Sequence, residues 1–186
     1  MATFAVCRTA EIPPAVIDRF LSVAYAKSEE LAPGIGPCLV VLPSGNDDDS
    51  SRDAETATMP GSAAELPPSP FIGMSTLEVA ERLGTPRNRL FVVMDSRSAE
   101  DDTVLLITTA SHGGTGQDEG GGVQTVRATF GSSQSVLVGL DMGTQGFGEV
   151  QSIALGSPGG VYGPERRGDG GPRKGEPAPR MVLGGH

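Results

Sequence analysis

Four short apolar runs constrain this chain more than any other feature. Thr3–Arg8, Cys38–Leu42, Leu90–Met94 and Thr103–Thr108 are each bounded by proline, polar or acidic residues. Runs of this length, rich in Val, Leu and Phe, read as strands, and the first two lack any polar alternation that would let one face meet water. A helix lies between those two. Pro13 and Pro14 mark its start, Ala15, Val16, Phe20, Val23 and Ala24 fall on one stripe of a 3.6-residue period, and the pattern ends near Leu31, before Pro33-Gly34. Strand, helix, strand with buried strands predicts a parallel βαβ unit.

Further along, Ser75-Thr76-Leu77-Glu78 has the spacing of a capping box and predicts a helix of two to three turns ending at Gly84. Leu90–Met94 and Thr103–Thr108 are too close in sequence for a crossover helix, so they predict an antiparallel pair joined through Glu100-Asp101-Asp102. Val123–Phe130 alternates and predicts a strand with one face toward solvent. Gln134–Val150 reads as an interrupted helix, because Gly139, Gly143, Gly146 and Gly148 weaken its apolar pattern. The expected fold is α/β: a small three-layer mixed sheet of about five strands with helices packed on it.

Composition sets the limits of that domain. The 186 residues include 27 glycines and 15 prolines, nearly twice the usual share of roughly 12 percent for the two together. Most of the surplus falls in 43–70, 111–122 and 156–186. Without them about 115 residues remain, enough for an ordinary small core. The reading is one domain over 1–155, with flexible inserts at 43–70 and 111–122 and a disordered tail at 156–186. Of the net charge of −9, the inserts carry −7, the tail +2 and the remainder −4. A mildly acidic domain argues against nucleic acid or anionic lipid as a partner, since both need a basic face. No run of 18 apolar residues predicts a membrane span, and the first residues lack the pattern of a signal peptide, so a cytoplasmic or nuclear location is the default. Cys7 and Cys38 fall inside apolar strands and read as reduced, space-filling thiols.

Few residues offer chemistry. Asp95 ends an apolar strand, and open α/β sheets place ligand groups beyond the carboxyl ends of their strands. Arg8 and Arg127 sit at or within strands, where each can meet a carboxylate such as Asp95 or Asp141, or converge on an anion. His112 lies among glycines, but no Gly-Lys-Ser/Thr or GxGxxG context accompanies it, so Ser111–Gly122 reads as a flexible hairpin tip. The cysteines and histidines have no zinc spacing, Asp47-Asp48-Asp49 lacks the alternating ligands of an EF-hand, and no Gly-x-Ser-x-Gly elbow occurs. No metal or cofactor is implied.

Four features in order resemble an uncharacterised family of small α/β domains from bacteria and fungi, known only as a domain of unknown function. They are Arg8-Thr9 after the first strand, Phe91-Val92-Val93-Met94-Asp95, Val126-Arg127, and Leu137 with Met142 and Phe147. The chain departs from the family pattern at Ala10-Glu11, where an acidic-aromatic pair is usual, and at Asp141-Met142-Gly143-Thr144, in place of Asn-Met-Asp-Phe. The resemblance spans Thr3 to Val150 without the inserts and implies a fold but no reaction. The functional expectation is a non-catalytic binding or protein-interaction module, meeting its partner through flexible loops or the tail. The alternative is a small hydrolase-like or degenerate enzyme acting on an anionic small molecule through Asp95 and Asp141, with Arg8 or Arg127 holding the substrate.

Overall fold

The apolar runs form the middle of a mixed sheet. The computed structural model describes residues 2–43, 56–83, 89–109 and 122–163. Its strands are β1 (Phe4–Arg8), β2 (Leu39–Val41), β3 (Leu90–Met94), β4 (Thr103–Thr108), β5 (Gln124–Thr129) and β6 (Val161–Tyr162), in the order β2-β1-β3-β4-β5-β6. β1 runs parallel to both β2 and β3, β3, β4 and β5 are antiparallel in succession, and β6 returns parallel to β5. The α/β class and mixed sheet agree with the sequence reading. The sixth strand is an addition to it, made by a two-residue segment too short to leave a periodic signal.

Side-chain alternation sorts the core into two layers. On one face Phe4, Val6, Leu39, Val92, Leu106 and Ala128 pack under α1 (Pro14–Leu31), α4 (Phe130–Asp141) and α5 (Phe147–Gly156). Ala5, Cys7, Val40, Phe91, Val93 and Ile107 face the other way, against α2 (Thr76–Leu83) and Phe71. α1 starts at its paired prolines and buries Val16, Ile17, Phe20, Leu21 and Ala24. Ahead of α2 the expected capping box is present: the Ser75 N–H donates to Glu78 Oε2 at 2.8 Å and the Glu78 N–H to Ser75 Oγ at 3.3 Å. The Ser75 N–H, together with the Ser75 hydroxyl that donates to Glu78 Oε2 at 2.7 Å, lowers the Glu78 carboxyl below its ordinary range. Gly84, the expected helix end, lies outside the described residues.

Three expectations need correction. The interrupted helix over Gln134–Val150 is two helices, and α4 begins four residues early because Phe130 leaves β5 to join the core beside Phe20. Gly143, at φ +69°, lies in the break, and α5 continues past Val150 to Gly156. The folded unit also passes residue 155, since Pro158–Gly160 turns the chain into β6. Third, 56–70, expected as a solvated loop, is tied to the fold at several points, though much of it stays exposed. The Thr58 N–H donates to the Leu39 carbonyl at 2.8 Å, its hydroxyl accepts the Val41 N–H at 2.9 Å, and Tyr25 donates to the Thr58 carbonyl at 2.7 Å. Asp18 accepts the N–H groups of Gly61 and Ala63, and Ala63 is buried. The rest of the inserts and tail, at 44–55, 110–121 and 164–186, lies outside the described residues, as do Asp47–Asp49 and His112. No helix among the described residues is long and apolar enough to cross a membrane.

The rings of Phe20 and Phe130 meet edge to face, 5.1 Å between centroids, with Phe20 fully buried. This contact joins the two helices that cover the central strands. Phe20→Ala is expected to lower stability by about 3–5 kcal/mol, read as a reduced urea midpoint with an unchanged slope.

Candidate functional site

Two sets of polar groups collect where β1 and β3 end. On the β3 side the chain leaves Met94, turns through the one-turn helix α3 (Ser98–Asp101) and re-enters the sheet at Thr103. Asp95 organises this turn. Its Oδ1 accepts the Ser98 N–H and hydroxyl, both at 3.2 Å, and its own N–H donates to Ser98 Oγ at 3.1 Å. Asp102 closes the turn in the left-handed region at φ 56°, a conformation aspartate tolerates better than most residues.

β5 brings Arg127 to the same place. Val126 and Ala128 face the α1 layer, so Arg127 projects from the other face, paired in register with Leu105. Its guanidinium forks onto Asp95, Nη1 to Oδ1 at 3.3 Å and Nη2 to Oδ2, and Nη1 also donates to Thr103 Oγ1 at 2.9 Å. The two side chains are only 11% and 26% exposed, so the pair is partly desolvated. The Thr103 hydroxyl in turn donates to Asp101 Oδ1, and Asp101 Oδ2 accepts the Arg97 Nε–H. Burial pushes the Asp101 carboxyl up, but the hydrogen bonds from Thr103 and Arg97 and the charges of Arg97 and Arg127 together hold it below its ordinary value.

Arg8 ends β1 in register with Met94, which faces the α1 layer, whereas Asp95 and Arg127 meet at the other face. Its Nη2 donates to the Pro67 carbonyl at 2.6 Å, its own carbonyl accepts Ser69 Oγ at 2.7 Å, and Nε is buried with no hydrogen-bond partner. Burial lowers its pKa, partly offset by the charge of Glu11. Asp141 is elsewhere. It is exposed at the end of α4, and its charge is felt by Cys38, which precedes β2 at the opposite end of the parallel strands. Burial and that charge push the Cys38 thiol up to about 12. Of the four residues singled out in the sequence, the structure joins Asp95 to Arg127 and leaves Arg8 and Asp141 apart from them.

A second feature left no motif. Lys27 and Leu31 of α1, Ser132, Ser135 and Val136 of α4, and Tyr162 of β6 line a cleft of about 350 Å³. Gly163 stands at its rim, so close to Thr129 that an added Cβ would lie 2.7 Å from a side-chain carbon. Next to the cleft α4 is tied inward by Gln134, which accepts the Cys38 N–H at 3.1 Å and donates to the Gly36 carbonyl at 3.0 Å. Apart from the α1 stripe, nothing in the sequence signals this assembly, because β6 and the start of α4 had to be located first.

Folding favours the charged form of Asp101, so its contribution is complete above the unfolded carboxylate range near about pH 4 and is lost as pH falls through the lowered value. Thr103→Val is expected to raise the Asp101 pKa toward the ordinary range in a carbon-detected NMR titration, and to move the acid unfolding limb to higher pH. Compared with known proteins, the chain matches no family model, no curated protein and no solved structure. The resemblance drawn from Arg8-Thr9 and the segments after it rests on those residues alone.

Proposed function

We propose that this chain is a non-catalytic binding module that receives an apolar side chain of a partner protein in the cleft between α1, α4 and β6. The cleft itself carries this reading. At about 350 Å³ it falls within the range of small binding pockets, and Leu31, Val136 and Tyr162 give it an apolar wall beside the hydroxyls of Ser132 and Ser135. Leu31 is 60% exposed at this wall. Other large apolar side chains on the same helical layer are also open to solvent: Met142 after α4, and Ile153 and Leu155 of α5.

The enzyme alternative needs two carboxylates facing one substrate. Both Asp95 oxygens already accept from Arg127, Oδ1 from Ser98 as well, and Asp141 lies near the far end of the strands. The partner route first expected, through the inserts and tail, falls largely outside the described residues. A cytoplasmic or nuclear location belongs to the same proposal, as does membership of the domain family that the sequence resembles.

The test compares the full chain with a Leu31→Lys, Ser135→Arg variant that fills the cleft. Both changes lie at the surface or half-buried, so stability should move by no more than about 0.5 kcal/mol per site. The intact chain is expected to retain a partner that the variant loses, with a photoreactive residue at position 31 cross-linking to it. Indistinguishable capture by the two chains overturns the reading, and a cross-link to a second copy of this chain identifies self-association instead.

A further inference from the structure

In a sheet ordered β2-β1-β3, β1 is the strand about which the order of the parallel strands reverses. Its connection through α1 leads to β2 on one side, and the next strand in sequence, β3, lies on the other. Crevices beyond the carboxyl ends of strands at such a reversal are where open α/β sheets hold ligands. Here that position is filled by the chain. Residues 66–74 pass from Leu66, packed in the α1 layer, over the end of β1 to Phe71 and Met74 in the opposite layer. The Gly73 N–H donates to the Thr9 carbonyl at 2.9 Å, Ser69 to that of Arg8, and Arg82 lies over the Phe71 ring at 5.7 Å.

Arg8 lies beneath this strap, 8% exposed, with no ion pair among the described residues. Its Nε and Nη2 protons point along one edge of the guanidinium, the edge that grips two oxygens of a carboxylate or phosphate side by side. The Pro67 carbonyl occupies Nη2, and Nε is left with nothing. A single carbonyl oxygen thus stands where one oxygen of an anion fits, and an orphaned buried donor marks the second. We propose that Arg8 is a receptor for a small oxyanion at the β1/β3 switch point, and that the strap at 66–74 occupies this site until the anion displaces the Pro67 carbonyl. The site is separate from the α1/α4/β6 cleft, and either assignment can fail without the other.

The experiment uses the full chain at constant ionic strength, exchanging chloride for inorganic phosphate or for acetate. Phosphate binding at Arg8 is expected to raise Tm logarithmically with concentration and to shift the Arg8 Nε–H resonance. A response to acetate alone marks a carboxylate-selective site. Ser69→Ala releases one tie of the strap and should tighten anion affinity roughly fivefold, the equilibrium worth of one neutral hydrogen bond. Arg8→Lys, which keeps the charge and loses the fork, should weaken it at least about tenfold. No Tm response to either anion, an unmoved Nε–H resonance, or equal affinity in the parent chain and Ser69→Ala overturns the proposal. Those readouts hold even if the Arg8 variant does not fold.

Discussion

The placement of β1 between two parallel neighbours governs the rest of the molecule. Each of its residues is buried, and both its hydrogen-bonding edges are taken, by β2 and β3. A chain that lays down β1, then β2, then β3 in this order must carry its second connection past β1 to reach the far side. Part of that connection, 56–66, stays with the α1 layer, held by Asp18, Tyr25 and Thr58, and only then crosses the end of β1 to the layer where α2 packs. Thr58 serves a second purpose on the way. By bonding Leu39 and Val41 it covers an edge strand whose free N–H and C=O groups would otherwise invite pairing with another chain.

The antiparallel half of the sheet meets a different constraint, the short link from β3 to β4. One helical turn and a left-handed aspartate span the gap, and such a turn gathers carboxylates at its ends. Asp95, Asp101 and Asp102 would repel one another if left alone. Arg127, Arg97 and Arg19 each reach one of them, and Thr103 links the first two pairs. The desolvation that accompanies Asp95 and Arg127 is offset by the fork geometry and by the donors from Ser98, so the cluster closes β3 to β5 without an unpaired charge among these groups.

What was legible in the sequence is what local chemistry dictates. Paired prolines set the start of α1, Ser75 and Glu78 the start of α2, and uninterrupted apolar runs the central strands. Asp95 was readable as a strand-end residue, and Arg127 as its partner by charge alone. The rest depends on acceptors that sequence does not distinguish. Every backbone carbonyl looks the same in a sequence, so the bonds from Arg8 to Pro67 and from Ser69 to Arg8, some sixty residues apart, leave no pattern. The same is true of Gln134, a polar residue in an apolar stretch whose amide satisfies Cys38 and Gly36 about a hundred residues back. A loop rich in proline and serine reads as solvated until its partners are known. Here Ser69 and Phe71 are buried because the end of β1 needed covering.

Arg8 and Arg127 show how far identical side chains diverge once placed. Both emerge at the same end of the sheet, and both lose much of their hydration. Arg127 recovers that loss through a carboxylate facing its fork and a hydroxyl behind it. Arg8 recovers only part, through one carbonyl, while Glu11 acts on it as a charge and burial still lowers its pKa. A buried guanidinium with a missing partner is the costlier arrangement, since an unmet donor forfeits its hydration with nothing in return. Stability alone would favour a carboxylate on the strap, at Pro67 or Ser69, to complete the fork. The chain instead places there a proline, which adds no acceptor beyond its carbonyl, and a serine that turns its hydroxyl to the backbone. The strap therefore covers Arg8 without neutralising it, and at this strand end the fold keeps a buried positive charge with no ion pair among the described residues.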